Sequence, residues 1–191
     1  MARFKEFDPK DKLEKARDLF WKKGYYATSM QDLVNDMKVN RGSMYDTFGD
    51  KHKLFMSSLK SYVAETHSEY KKAVSDETSP MKSIEKIIQS AIRRSFEEGK
   101  VCMVVKTSFE MAPFDDGIKK LLQQSTNALT QIFEDLLLKA KKVGEFDSKR
   151  DAKDTAAFIV ASFAGFWQMQ ALYDNRKKID QLAENLMNYL H

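Results

Sequence analysis

The sequence of 191 residues predicts an all-α fold of about nine helices. Apolar residues recur three and four positions apart, as in amphipathic helices, and no segment reads convincingly as a strand. Only seven glycines and three prolines interrupt the chain, and 31% of its residues are charged. This composition is expected of a mostly helical protein whose elements are separated by glycine, proline and capping residues.

The first two helices are read from their apolar faces and their caps. Helix 1 is predicted over about Pro9–Lys23 and is ended by Gly24. Its buried face consists of Leu13, Ala16, Leu19 and Phe20. A short second helix follows, capped by Thr28 or Ser29. Its apolar residues again share one face: Met30, Leu33, Val34 and Met37.

A tight turn at residues 38–40 separates the second helix from a third, predicted over about Arg41–Phe48. Val39 is the apolar plug of the turn, and Asn40 is a good cap for the third helix. The residues of this helix that can pack inward are Met44 and Phe48. Two short helices joined by a tight turn, the second with a polar outer face, form a helix-turn-helix over about residues 29–48.

The remaining helices are separated by clear breaks. Gly49 and Asp50 precede a long fourth helix, about residues 51–74, and the clearest boundary loop follows at residues 76–80. Five more helices are predicted over about residues 81–98, 101–111, 115–142, 151–173 and 177–190. We therefore expect an N-terminal three-helix DNA-binding domain over residues 6–66 and a second helical domain over residues 67–191.

The positive charge of the chain is concentrated near its N-terminus. The net charge is +4, and residues 1–60 hold 13 Lys and Arg against 9 Asp and Glu. The rest of the chain holds 19 of each sign. Because phosphate neutralisation supplies much of the affinity for nucleic acid, this distribution predicts a DNA-binding surface around the helix-turn-helix.

Composition excludes several other classes of protein. No apolar run reaches the roughly 18–20 residues that cross a bilayer, and the N-terminus lacks the apolar segment of a secretory signal. A single cysteine cannot form an internal disulfide, which favours the cytoplasm. His52, His67 and His191 have no spacing suited to metal or triad chemistry. We expect no enzyme activity, no cofactor, no metal site and no membrane contact.

The first third of the chain carries a family pattern in the residues Gly24-Tyr25, Thr28-Ser29, Val39, Arg41-Gly42-Ser43-Met44-Tyr45, Phe48 and Lys51…Leu54-Phe55. This pattern resembles the TetR (TetR/AcrR) family of transcriptional regulators. It departs at Lys38, where the family usually has glycine, and a left-handed lysine costs roughly 1 kcal/mol. It also departs at Asn40, where serine is usual. The resemblance implies a homodimeric repressor that a small apolar or amphipathic ligand releases from a palindromic operator. It also implies that residues 67–191 are a helical ligand-binding and dimerisation domain.

The family pattern also implies which residues contact double-stranded DNA. The residues expected to position the DNA backbone are Thr28, Ser29, Tyr45 and Lys51. The residues expected to approach base edges are Arg41, Gly42, Ser43 and Thr47, with Asn40 at the start of the same helix.

The C-terminal half contains candidates for a partner surface and a ligand pocket. The penultimate helix is apolar on nearly all sides (FIVASFAGFWQMQALY), so it is either the core helix of a monomer or, with the last helix, a homodimer surface. The candidate pocket residues are Phe96, Met103, Phe109, Phe133, Phe163 and Trp167, which could equally fill an ordinary core. Arg93, Arg94 and Lys106 could face an anionic ligand or lie on solvated faces. A solidly packed domain would instead indicate a ligand-independent DNA-binding protein.

Cys102 has a context of its own. The segment after it, with Ala112 and Pro113, resembles one TetR subgroup in which a glycine-cysteine pair opens the sixth helix, although Val101 stands here in place of the glycine. A thiol near a helix N-terminus, with Lys100 and Lys106 nearby, could have a lowered pKa. The alternatives are a thiol sensor of oxidants or electrophiles and a small buried apolar side chain.

Overall fold

The computed structural model describes residues 7–75, 78–97, 99 and 101–190. Within these residues it contains nine helices and no strand, which confirms the predicted fold class. The helices are α1 Pro9–Lys23, α2 Met30–Met37, α3 Arg41–Phe48, α4 Lys51–Ser75, α5 Pro80–Glu97, α6 Met103–Glu110, α7 Asp116–Lys142, α8 Ala152–Tyr173 and α9 Arg176–Leu190. Some predictions above concern residues outside the described ranges, namely Glu6, Asp76, Glu77, Glu98, Lys100 and His191.

The helices begin and end where their capping residues stand. The Asp8 side chain accepts a hydrogen bond from the Lys10 N–H at the start of α1, and Gly24 ends that helix with φ 92°. Asp50 Oδ1 accepts from the Lys53 N–H (2.8 Å) at the start of α4, as predicted. The prediction of α6 was too long by two residues at its start and one at its end, because Cys102 occupies its N-cap position.

One apolar cluster holds the three N-terminal helices against α4. Phe20 meets Phe55 edge to face with ring centroids 5.0 Å apart, and both side chains are fully buried. The cluster also takes in residues from α6 and α7, namely Met103, Met111, Ile118 and Leu122. The helix-turn-helix is therefore packed against the following part of the chain, and the boundary at residue 66 stays a prediction.

A second apolar cluster is formed by α5, α7, α8 and α9, with Tyr70 contributed by α4. Phe163 lies near its centre, edge to face with Phe133 (5.8 Å) and Trp167 (5.3 Å). Because α4 contributes residues to both clusters, a change in the second cluster can reach the N-terminal helices through a single rigid element.

Among the described helices, α8 is long and apolar enough to cross a bilayer, with a mean hydropathy of 1.2 over its most apolar 18 residues. The expectation from apolar run length therefore missed it. One such helix is weak evidence for a membrane span, since the core helix of a globular protein has the same length and composition. Here α8 packs mainly on α7 and carries a buried glutamine, Gln170, paired with Ser95.

Candidate DNA interface and ligand cavity

The start of α2 is fixed by a reciprocal cap. Ser29 Oγ accepts from the Asp32 N–H (3.0 Å), and Asp32 Oδ2 accepts from the Ser29 N–H (2.9 Å). Lys23 Nζ lies 3.0 Å from Asp32 Oδ1. The backbone hydrogen bond from Ser29, followed by the bond from Lys23, lowers the pKa of Asp32 to about 2. Ser29, rather than Thr28, is the N-cap residue.

The turn between α2 and α3 has the geometry that the sequence predicted. Lys38 adopts the left-handed conformation, with φ 51° and ψ 52°. Val39 is buried behind it, and its N–H donates to the Val34 carbonyl (3.3 Å). Asn40 Oδ1 accepts from the Ser43 N–H (2.7 Å) and so caps α3. A lysine thus stands at a position where glycine would be unstrained.

The outer face of α3 is polar and open. Met44 is buried and anchors the helix, whereas Arg41, Gly42 and Tyr45 are exposed. The Arg41 guanidinium lies 5.9 Å from the centre of the Tyr45 ring. A Cβ at Gly42 would meet only Asn40 Oδ1, at 3.5 Å, which is ordinary contact. Nothing described inside the protein requires glycine there.

Two of the residues expected to contact phosphate are placed differently from that expectation. Thr28 is fully buried, and its hydroxyl donates to the Gly24 carbonyl (2.6 Å), so it holds the loop between α1 and α2 and has no surface for DNA. Lys51 is half-buried with Nζ 4.4 Å from the centre of the Tyr25 ring, and burial lowers its pKa. Ser29 and Thr47 remain accessible, Ser29 more so.

Contacts between α6 and the loop before α2 were not predicted. Lys106 Nζ donates to the carbonyls of Trp21 (2.9 Å) and Lys22 (3.1 Å) at the end of α1. Glu110 Oε1 accepts from the Tyr26 N–H (2.9 Å). We call these contacts of Lys106 and Glu110 the α6 clamp. They join residues 84 and more positions apart, and side chain to backbone bonds of that separation leave no periodic signal in the sequence. Lys106 therefore neither faces a ligand nor lies on a solvated face.

A second tie joins α4 to α7. His52 Nε2 lies 2.7 Å from Asp115 Oδ2, and Asp115 Oδ1 accepts from the Ile118 N–H (2.9 Å) as the cap of α7. The backbone hydrogen bond from Ile118 is the main cause of the lowered pKa of Asp115. The start of α4, next to the helix-turn-helix, is thus fixed to the C-terminal helices.

A cavity of about 590 Å³ lies between α4, α6, α7 and α8. Of the six predicted pocket residues, Phe163 and Trp167 line it. The other four lie elsewhere. Met103 and Phe133 are buried in the two apolar clusters, Phe109 is 78% exposed, and Phe96 packs under the Arg176 guanidinium (5.3 Å). Helical periodicity identified apolar residues correctly but could not say which of them face an empty space.

Cys102 also lines this cavity, at the N-cap position of α6. The Tyr62 hydroxyl donates to its Sγ at 3.6 Å. Burial raises the pKa of the Cys102 thiol, and this effect outweighs the hydrogen bonds from Val105 and Tyr62 that lower it. Burial thus dominates over the helix terminus, which favours the small buried side chain over the thiol sensor.

The exposed surface of α8 is largely apolar in the single chain, and Tyr189 of α9 lies beside it. Phe158 and Tyr189 contact each other edge to face, with ring centroids 5.3 Å apart, and they are 48% and 60% exposed. Further along α8, Leu172 and Tyr173 are also more than half exposed. Exposed aromatic and aliphatic side chains of this kind are candidates for an interaction surface.

Helices α2 and α3, with the open polar face of α3, define a helix-turn-helix DNA-binding protein. Residues 13–57 match the sequence model of the family described as bacterial regulatory proteins, tetR family. Residues 80–186 match the model described as the tetracyclin repressor-like C-terminal domain. The second match alone covers more than half of the chain. The chain therefore belongs to the TetR family of DNA-binding transcriptional regulators, which are not enzymes.

Individual relatives agree with this assignment. The chain is similar to the uncharacterized HTH-type transcriptional regulator YezE of Bacillus subtilis (strain 168), with 32% identity over 151 residues, or 78% of each protein. It is also similar to the HTH-type transcriptional repressor DhaR of Mycobacterium sp. (strain GP1), with 23% identity over 88% of this chain and 85% of that one. Its fold matches a cysteine mutant of the TetR family transcriptional regulator CifR complexed with a 26-bp double-strand operator DNA (TM-score 0.89, 19% identity, 100% of both chains).

Proposed function

We propose that this protein is a cytoplasmic homodimeric repressor, released from a palindromic DNA operator when a small apolar or amphipathic molecule enters the cavity between α4, α6, α7 and α8. The open polar face of α3 carries the DNA-binding part of this proposal. The cavity of about 590 Å³ supports a ligand-responsive regulator over a ligand-independent DNA-binding protein, since it falls within the usual size of small-molecule sites.

In the proposed complex, α3 enters the major groove. Arg41, Ser43 and Thr47 approach base edges, and the missing side chain of Gly42 lets the helix backbone lie close to the DNA. The Tyr45 phenol and the Ser29 hydroxyl reach phosphates on either side. Lys51 contributes its charge from a half-buried position, and Thr28 is left out of the contact set because it is buried.

The proposed dimer forms through the last two helices, where the exposed apolar side chains of α8 lie beside Tyr189 of α9. Symmetric DNA reading needs two recognition helices related by a two-fold axis, with half-sites about 34 Å apart. A self-complementary surface around Phe158 and Tyr189 would supply that axis and would remove both aromatic side chains from water.

The test is selection of binding sites from random double-stranded DNA, followed by titration of the best site. We expect enrichment of a palindrome. Arg41→Ala should weaken binding by about 1–3 kcal/mol and broaden the preference at the bases it reads. The matched control is Arg93→Ala, because Arg93 is exposed on α5, far from α3 in the helix order, and should leave binding unchanged. Failure to enrich any palindrome over random DNA would refute sequence-specific reading by a dimer.

Release is tested separately. Ligand and DNA affinities must be coupled by the same factor in both directions. A molecule that binds tightly in the cavity, yet leaves the operator affinity unchanged, would contradict the proposed mechanism while leaving DNA reading intact.

A further inference from the structure

Several polar groups on the wall of the cavity are already paired within the chain. The Ser108 hydroxyl donates to the Val105 carbonyl (2.7 Å), and the Thr130 hydroxyl donates to the Thr126 carbonyl (3.0 Å). Deeper in the wall, Thr66 Oγ1 accepts from Arg94 (3.0 Å), and the Tyr62 hydroxyl donates to Cys102. These groups offer a ligand little beyond what they already give to the fold.

His67 and Ser125 differ from these groups. They face each other across the cavity wall from α4 and α7, with Ser125 Oγ 3.3 Å from His67 Nε2, at the long end of hydrogen-bond distances. Ser125 is buried and His67 is half-buried. Burial, and then the nearby Lys71, lower the pKa of His67, so the imidazole is neutral at pH 7. A neutral imidazole has one N–H donor and one nitrogen acceptor, and a serine hydroxyl can donate and accept.

The charges and rings on the wall define the remaining chemistry. The charged lining residues are Lys153 and Asp154, both on the exposed first turn of α8. The rings of Tyr62, Phe163 and Trp167 are buried at the wall. An ion in this interior would lose its hydration without gaining an opposite charge, which is costly, whereas a flat uncharged molecule would gain contact with the rings.

We infer that the cavity binds an uncharged aromatic molecule carrying a hydroxyl or carbonyl group, and that His67 and Ser125 hold that group. This inference rests on the proposed function, because it assigns the chemistry of the same ligand site. His67 and Ser125 determine specificity, and the aromatic wall supplies most of the affinity.

The experiment measures binding of three matched probes by titration calorimetry, with the purified dimer and no DNA. The probes are 2-naphthol, naphthalene and 2-naphthoate, which share one ring system and differ only in the polar group. We expect 2-naphthol to bind roughly fivefold or more tightly than naphthalene, as one added hydrogen bond allows. The anionic 2-naphthoate should bind at least about tenfold more weakly than 2-naphthol.

Two variants on α4 locate the effect. His67→Phe keeps an aromatic ring, so it should remove the advantage of 2-naphthol over naphthalene while naphthalene still binds. Lys60→Phe is the control, because Lys60 is exposed on the same helix outside the cavity lining and should leave both affinities unchanged. Ala164→Phe places a ring in the cavity and should abolish binding of all three probes. Circular dichroism of each variant checks that it is folded.

Three results would overturn the inference: no binding by any of the probes, 2-naphthoate binding as tightly as 2-naphthol, or an undiminished hydroxyl advantage in His67→Phe. None of these results depends on DNA. If the probes bind as expected but the operator affinity stays constant, the proposed release mechanism fails and the ligand assignment stands.

Discussion

The turn of the helix-turn-helix offers a test in which one substitution has opposite effects at two sites. Lys38 is held at φ 51° and ψ 52°, which costs a side-chain-bearing residue about 1–2 kcal/mol. Lys38→Gly removes that cost, but glycine gains about 0.4–1 kcal/mol of entropy in the unfolded chain. We therefore expect Lys38→Gly to raise the free energy of unfolding by roughly 0.5–1 kcal/mol.

Lys60→Gly is the matched control. Lys60 is exposed in the interior of α4, where glycine destabilises a helix by about 1 kcal/mol. Both variants lose one lysine charge, so electrostatic effects of the lost charge largely cancel. Urea unfolding at a fixed protomer concentration should separate the two variants by about 1.5–2 kcal/mol, with the unsubstituted protein between them. Equal destabilisation by both substitutions would show that the left-handed turn stores no strain.

Three further predictions concern pH, the thiol and assembly. Because folding depresses the pKa of Asp32 to about 2, its stabilising effect is present above the unfolded value of 3.8 and lost as the pH falls towards 2. The difference in thermal stability between the protein and Asp32→Asn should therefore be constant near neutrality and shrink across that acid range. A difference that stays the same down to about pH 2 would contradict the prediction. Iodoacetamide should alkylate Cys102 far more slowly in the native protein than after unfolding, because burial raises its pKa, and equal rates would revive the thiol sensor. Phe158→Asp should give monomers in light scattering, whereas Phe109→Asp, at an even more exposed phenylalanine on α6, should not; dimers in both would place the interface elsewhere.

Local signals predicted most of the fold. Asn40 caps α3, Gly24 ends α1 and Asp50 begins α4, and in each case the residue satisfies or releases backbone groups within four positions of itself. Such features depend on neighbours along the chain, which a single sequence displays directly. The left-handed conformation of Lys38 was expected only from the family resemblance, in which glycine usually holds this position.

Features that depend on distant residues were not predicted. Thr28 is a plausible cap and phosphate contact by sequence, but the fold buries it and gives its hydroxyl to Gly24. Phe109 and Phe163 are equivalent by helical pattern, yet one is exposed and the other lines the cavity. The burial that raises the pKa of Cys102 likewise comes from packing around it. Periodicity gives the buried face of each helix, but the packing of several helices decides where space remains.

The position of α6 connects the cavity to the DNA-binding helices. Val105 and Ser108 face the cavity, while Lys106 and Glu110 of the α6 clamp hold the end of α1 and the loop that leads into α2. Gly24 allows this close contact, because a Cβ there would lie 2.9 Å from Glu110 Oε1. An eight-residue helix moves as a unit, so a ligand that displaces α6 must also strain or break the clamp. These contacts support two parallel connections between the cavity and the helix-turn-helix, α4 through its length and α6 through its clamp. Reciprocal coupling between ligand and DNA then requires only that the cavity and the helix-turn-helix favour different positions of these two helices.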